Sequence, residues 1–133
     1  MFQRQEVVRF QHCDPAGIVF YPRYVEMINS TVEDWFAHSA LDFARIHVDD
    51  KVAIPAVSLN ITFRSASRLG ELLTFTLTVA RIGTTSVTLL INAGHEGRLR
   101  FESELTLVFI DQNDFRPKPW PQKFRTIFER GIS

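Results

Sequence analysis

The sequence predicts an α+β domain in which a curved antiparallel sheet wraps one long helix, and three observations carry that expectation. The second half of the chain alternates apolar and polar residues four times over, the mark of strands with one buried face. One stretch, residues 21–36, repeats its apolar residues at three- and four-residue steps, which is a helix period. The links between the alternating runs are short and rich in turn residues, as antiparallel neighbours require. A chain of 133 residues is the size of one ordinary domain with one sizeable core, so 1–133 is read as a single domain.

Taken in order, the first element is a strand around residues 8–11, where Val8 and Phe10 alternate with Arg9 and Gln11. In the helix, Tyr21, Tyr24, Val25, Ile28, Val32, Trp35 and Phe36 form one apolar face. Glu26, Asn29, Ser30, Glu33 and Asp34 fall largely on the other. Pro22 sits in the first turn, which tolerates proline. A shorter helical piece is expected over 41–46. Val57, Leu59, Ile61 and Phe63 then alternate with Ser58, Asn60, Thr62 and Arg64. Leu73, Phe75, Leu77 and Val79 alternate with threonines, and Val87, Leu89 and Ile91 with Ser86 and Thr88. Phe101, Leu105, Leu107 and Phe109 close the series against Glu102, Glu104 and Thr106.

Ser67-Arg68-Leu69-Gly70, Ile82-Gly83-Thr84 and Gly94 to Gly97 read as hairpin or near-hairpin links. Phe2, Phe10, Phe63, Phe75, Phe101 and Phe109 fall on strand patterns and are read as core. Four or five strands thus share an apolar face that only one long helix can cover, which is the hot-dog arrangement. The other sheet face is rich in Thr, Ser and Glu and is expected to meet water or a partner subunit. Trp120, among Pro117, Pro119 and Pro121, is expected to fold back on the body or to meet a subunit. Nothing is read from the residues after Pro121.

Composition narrows the function classes. Hydrophobic residues make up 45% and charged residues 23%, which are globular proportions. Fifteen basic and fifteen acidic side chains cancel, so no net field draws nucleic acid or an anionic membrane. No apolar run approaches the roughly 20 residues of a membrane helix, and the start Met-Phe-Gln-Arg-Gln-Glu lacks a signal core. Cys13 is the only cysteine, which excludes an internal disulfide and suits a reducing cytoplasm.

The chemistry-bearing stretch is His12-Cys13-Asp14-Pro15-Ala16-Gly17-Ile18-Val19-Phe20-Tyr21-Pro22-Arg23-Tyr24. Asp-Pro-Ala-Gly reads as a type I turn, with Asp first, Pro second and Gly fourth. Taken alone, such a turn uses its Asp as a cap. The stretch as a whole resembles the signature of the 4-hydroxybenzoyl-CoA thioesterase family of hot-dog proteins, whose Asp-Pro-Ala-Gly-Ile-Val branch carries this aspartate. The family's element order also matches, and Ile54-Pro55 before residues 57–63 and Arg81-Ile82-Gly83 fit its layout. The resemblance spans roughly residues 5–112.

The resemblance implies hydrolysis of an acyl-CoA with no cofactor. Asp14 matches the catalytic carboxylate, as nucleophile or as general base. Tyr21 matches the position whose backbone N–H polarises the thioester carbonyl, a role suited to the positive end of a helix. The implied pocket is lined by the 14–24 loop (Gly17, Ile18 and Val19 among it), by Ile28 and Asn29, and by a partner's strand near Val57 to Asn60, Leu59 and Asn60 foremost. Dimers, often paired into tetramers, with sites at subunit interfaces, come with the family. An aromatic acyl group is favoured, with short aliphatic chains as the alternative.

Departures from the family carry weight too. One relative has basic residues for the CoA phosphates in the turn that here reads Gly83-Thr84-Thr85. Arg64, Arg68, Arg81, Arg98, Arg100, Arg116 and Lys118 remain as candidates for that contact. Another branch has a His shortly after the motif, where this chain has Phe20-Tyr21-Pro22. Cys13 beside His12 suggests a nucleophile pair, but on a strand neighbours point apart, and Cys13 reads as a small core filler. A non-catalytic acyl-CoA binding module and a dehydratase using His12 are the rival functions. His47-Val48-Asp49-Asp50 has metal-ligand types in one short loop without a second cluster and is read as solvated charge.

Overall fold

The computed structural model describes residues 1–39 and 51–132. β1 (Phe2–Val7) leads through a 3₁₀ turn (Phe10–His12) and a loop into α1 (Tyr21–His38). Five further strands follow: β2 (Val52–Ala53), β3 (Ala56–Phe63), β4 (Leu72–Ile82), β5 (Ser86–His95) and β6 (Arg98–Val108). A short β7 (Ile110–Asp111) and α2 (Gln122–Arg130) complete the order. The main sheet is antiparallel with strand order β1-β4-β5-β6-β3, and β2 pairs with β7 in a small second sheet. Bulges at Val79/Arg81, Ala93/Gly94 and Ala56/Ser58 bend the ladders. This is the hot-dog fold expected from the sequence.

Alternation in the central strands does what it promised. Leu73, Phe75, Leu77 and Val79 of β4 are buried, as are Val87, Leu89 and Ile91 of β5 and Phe101, Leu105 and Leu107 of β6, with Phe109 just beyond it. Burying so many apolar side chains, at roughly 25 cal/mol per Å² removed from water, is the main force holding α1 against the sheet. The helix meets the sheet on a face rotated from the expected one. Met27 and Thr31 are buried with Tyr24, Ile28, Val32, Trp35 and Phe36, whereas Tyr21 and Val25 are exposed. Arg4 of β1 explains part of the rotation: its Nη1 donates to Thr31 Oγ1 at 3.1 Å, giving that hydroxyl a reason to face inward.

Several expectations are corrected. The first strand is β1, residues 2–7, and residues 10–12 form a 3₁₀ turn that leaves Phe10 exposed rather than in the core. The 64–71 link is no hairpin: β3 pairs with β6 and β4 with β1 and β5, so this link crosses the end of the sheet. The apolar residues of β3 are not buried in this chain. Val57 is 61% and Phe63 49% exposed, and β3 lies at the edge of the sheet with β6 as its one hydrogen-bonded neighbour among the described residues. The piece at 41–46 and the His47–Asp50 stretch lie outside the described residues.

After Pro121 the chain forms α2, which sequence reading left blank. Phe124, Ile127 and Phe128 recur at helical spacing, the signal that could have found it. Phe124 and Phe128 are buried against Trp120, Phe109, Trp35 and Phe36, so Trp120 folds back on the body. The Val79 N–H donates to Gly131 O at 2.9 Å, and a Cβ on Gly131 would lie 2.7 Å from Val79 Cγ2. Glycine lets the end of α2 sit directly on β4. Among the described residues no helix is long and apolar enough to cross a membrane.

Candidate active site

The Asp-Pro-Ala-Gly turn forms as its sequence dictates. Gly17 N–H donates to Asp14 O at 2.9 Å and Asp14 N–H to Ile18 O at 3.0 Å. Gly17 takes φ +78°, a conformation that residues with a Cβ rarely adopt. Ala16 N–H donates to Asp14 Oδ1 at 2.8 Å, the side-chain turn that Asp makes with a residue two positions on. One carboxylate oxygen is therefore fixed. Oδ2 has no hydrogen-bond partner among the described residues, so Asp14 caps its turn and keeps a free oxygen.

Two sets of bonds hold this loop. At its base, Cys13 bridges to Val19 and Phe20 N–H donates to His12 O at 2.9 Å. On its flank lies the 64–71 crossing: Val19 N–H donates to Ser67 O at 2.9 Å, and Leu69 N–H to Gly17 O at 3.1 Å. Ile18 bridges to Arg68. The crossing is itself anchored inside, where Tyr24 Oη donates to Ser67 Oγ at 2.6 Å. Burial pushes the Tyr24 phenol above its ordinary value, only partly offset by that bond.

Arg100 ties the other end of the crossing. It donates to both Glu71 oxygens, at 3.0 and 3.2 Å, and to Ala66 O. Glu71 also accepts from the Arg68 N–H at 2.6 Å. Burial works to raise the Glu71 carboxyl, but these donors outweigh it and hold the group below the usual carboxylate range. The pair has a cost, since the buried Arg100 Nε finds no acceptor among the described residues.

α1 begins directly after the loop, at Tyr21. Pro22 has no N–H to offer, and Arg23 N–H donates to Phe20 O at 2.8 Å. The Tyr21 N–H, at the positive end of this 18-residue helix, has no hydrogen-bond partner among the described residues. The Tyr21 ring is 63% exposed and lies 6.4 Å from Phe63 and 5.4 Å from Phe20, edge-on to both. An N–H at the positive end of a helix is the kind of donor that stabilises a developing oxyanion.

An apolar slot of about 140 Å³ opens between α1 and the β3–β6 edge, lined by Val25, Ile28, Asn29, Val32, Ile54, Ala56, Leu59, Leu105 and Leu107. Asn29 lies two turns along α1 from Tyr21, about 12 Å at 1.5 Å per residue. Its Nδ2 donates to Glu33 Oε2 at 2.7 Å, leaving Oδ1 as the one side-chain acceptor among otherwise apolar walls. Asn29 and Leu59 thus meet at one place. Asn60, next along β3, faces the other way, into a polar hollow with Thr62, Asn92, Glu102 and Glu104. Within one chain it does not join the slot. Val19 is buried core, while Gly17 and Ile18 shape the loop.

Sequence reasoning missed the anchoring done by Ser67 and Glu71 of the crossing and by Arg100 of β6, which act only through their place in the fold. The phosphate candidates also separate. Arg64 pairs with Glu102, Arg81 with Glu104, Arg100 with Glu71 and Lys118 with Asp114, while Arg68, Arg98 and Arg116 have no side-chain partner among the described residues. Cys13 is half-buried, its Sγ 3.5 Å from Arg9 O. Both ring nitrogens of His12 are engaged, by Arg9 N–H at 2.8 Å and Glu6 at 3.5 Å. No Cys–His pair forms.

Fold and site together define a hot-dog protein with a carboxylate loop at the start of its central helix. The sequence model of the thioesterase-like superfamily matches residues 8–128, and the chain belongs to that family. The 4-hydroxybenzoyl-CoA thioesterase of Pseudomonas sp. (strain CBS-3) is 32% identical over 72 residues, and the match spans 53% of this chain and about half, 51%, of that relative. Among solved structures, a 1,4-dihydroxy-2-naphthoyl-CoA thioesterase from Synechocystis superposes with a TM-score of 0.89 at 21% identity, covering 96% of this chain and 94% of its own. A thioesterase-superfamily protein from Jannaschia sp. CCS1 gives 0.91 at 24% identity over 99% and 93%.

Proposed function

We propose that the protein hydrolyses acyl-CoA thioesters to a free acid and CoA, with Asp14 as the reacting carboxylate. The observation that carries this reading is the division of labour at Asp14, in the loop that leads into α1: Oδ1 is fixed by Ala16 N–H, and Oδ2 has no hydrogen-bond partner among the described residues. As nucleophile, Oδ2 attacks the thioester carbon, the thiolate leaves, and water opens the resulting anhydride. As general base, the same oxygen takes a proton from the attacking water. In both routes the carbonyl oxygen gains charge, and the Tyr21 N–H supplies a donor for it.

The acyl group is an aromatic one. A dry cavity of about 150 Å³ lined by Leu, Ile and Phe accepts benzene, and the slot beside Asn29 has about 140 Å³. Its one polar pole, Asn29 Oδ1, suits a ring hydroxyl, in keeping with the hydroxybenzoyl substrate in the name of the Pseudomonas relative. Two copies of the chain assemble with sites at their interface, the open edge of β3 and its exposed Val57 and Phe63 being the surface left to cover; pairing of dimers gives a tetramer. The working compartment is the cytoplasm. The engaged nitrogens of His12 count against a dehydratase.

Thiol release by the purified protein on benzoyl-, hydroxybenzoyl-, phenylacetyl-, acetyl-, hexanoyl- and palmitoyl-CoA tests the reading. The expected result is turnover of the aromatic members, hydroxybenzoyl foremost, and little of palmitoyl. Saturable binding with no thiol released from any member would replace the enzyme by a binding module.

A further inference from the structure

We propose that His12, which takes no part in the chemistry above, is a positioning residue that holds the Asp14 loop in place against α1; the proposal rests on the reading of Asp14 as the reacting carboxylate. His12 ends the 3₁₀ turn and is 8% exposed. Its Nδ1 lies 2.8 Å from the Arg9 backbone nitrogen. A backbone N–H can only donate, so Nδ1 is the acceptor and the ring carries its hydrogen on Nε2. Nε2 lies 3.5 Å from Glu6 Oε2 on β1.

Glu6 is itself held. Its Oε1 pairs with Arg4, whose Nε lies 2.8 Å from Asp34 Oδ2 and whose Nη1 donates to Thr31 Oγ1, both on α1. The His12 ring is therefore braced against β1 and, through Arg4, against the middle of the helix. The His12 carbonyl accepts the Phe20 N–H at 2.9 Å. Asp14 lies two residues beyond His12, and Tyr21 directly follows Phe20. The carboxylate and the free N–H that must meet one carbonyl thus take their positions from the same residue, one on either side of it.

The ring does for this turn what a Glu or Gln does at the third position of a capped helix, reaching back to the N–H of the residue before it. That analogy selects the variants. His12→Phe keeps a ring of similar volume in a buried place and removes the Arg9 N–H hydrogen bond and the contact with Glu6. His12→Gln restores an acceptor for Arg9 N–H and a donor for Glu6.

The experiment reads two things on the full chain: amide hydrogen exchange along residues 14–20, which needs no turnover, and kcat with KM on the best acyl-CoA of the panel. His12→Phe is expected to speed exchange of the Asp14, Gly17 and Phe20 amides while those of β4 and β5 stay protected. Its kcat should fall, by up to about 10²-fold for a misplacement near 1 Å, with KM little changed, and His12→Gln should recover both. Loop exchange or kcat unchanged in a folded His12→Phe would overturn the proposal, as would a folded His12→Gln no better than the Phe variant. Should His12→Phe fail to fold, the Gln variant decides, since a low kcat in a protein of normal melting temperature contradicts the role. A wild-type chain that hydrolyses nothing overturns the Asp14 reading and the catalytic role with it, while the exchange data still report the brace.

Discussion

Strands β3 and β4 differ in what lies on either side of them. β4 runs between β1 and β5, and its inward residues Leu73, Phe75 and Leu77 are fully buried. β3 has β6 as its one hydrogen-bonded neighbour among the described residues, and of its corresponding residues Val57, Leu59 and Phe63 are exposed and Ile61 only partly buried. The two strands have the same sequence character, so the difference comes from position: a strand's apolar face is buried only where something covers it. The lesson for function is that the uncovered apolar residues, Leu59 and Phe63 of β3 with Tyr21 and Val25 of α1, gather around the slot and the start of the helix. The covered strands carry the stability, and the uncovered edge is the surface that the proposed function assigns to ligand and to a second copy of the chain.

That contrast can be broken by placing one charge on each strand. Leu77→Asp puts a carboxylate where no partner exists and is expected to cost more than about 4 kcal/mol, the range of exceptional core lesions; loss of the folded circular-dichroism signal at 25 °C checks it. A folded Leu77→Asp protein would mean that β4 is not the core strand described. Next in size is Glu71→Gln, which weakens the anchor of the 64–71 crossing. The Glu71 carboxyl is held below its ordinary value by the Arg68 N–H and Arg100 against the opposing effect of burial. Its contribution is therefore present above the unfolded carboxylate value and lost as pH falls through the folded one. Glu71→Gln should cost about 1–3 kcal/mol at pH 7, and the gap to wild type in denaturant melts should shrink as pH falls below the ordinary glutamate value of about 4.3. A gap that widens in acid would reverse the sign.

Smaller still for the fold is Val57→Asp. The chain is expected to keep its secondary structure while light scattering moves toward the monomer, and an unchanged mass would remove β3 from the assembly surface. The mildest change is Tyr21→Ala. The group assigned to Tyr21 is its backbone N–H, so the variant should keep kcat within a few-fold of wild type in the thiol-release assay. A loss as large as that of an acid or base, about 10²–10⁴-fold, would mean that the ring itself takes part.

How much was legible in advance follows the same division. Alternation located β4, β5 and β6 and their buried residues, because local period and tertiary cover agree there. It located β3 but not its exposure, since cover is a property of neighbours and not of the strand. Period placed α1, while its rotation was set by Arg4 and Thr31, a contact between residues 27 apart. The turn at Asp14 was readable because Asp, Pro and Gly each have a fixed preference within it. The crossing that supports it was not, because Ser67, Glu71 and Arg100 acquire their partners only once β3 has paired with β6. α2 went unread although Phe124, Ile127 and Phe128 carried its period.

The central claim is that the free oxygen of Asp14 does the chemistry, and kcat of Asp14→Asn on the best acyl-CoA tests it most directly. Asparagine keeps an oxygen for Ala16 N–H and with it the turn, and removes only the charge. A fall in kcat of about 10²–10⁴-fold, at unchanged melting temperature and little-changed KM, is the result expected. Turnover within a few-fold of wild type would contradict the account and leave Asp14 as the cap of its own turn.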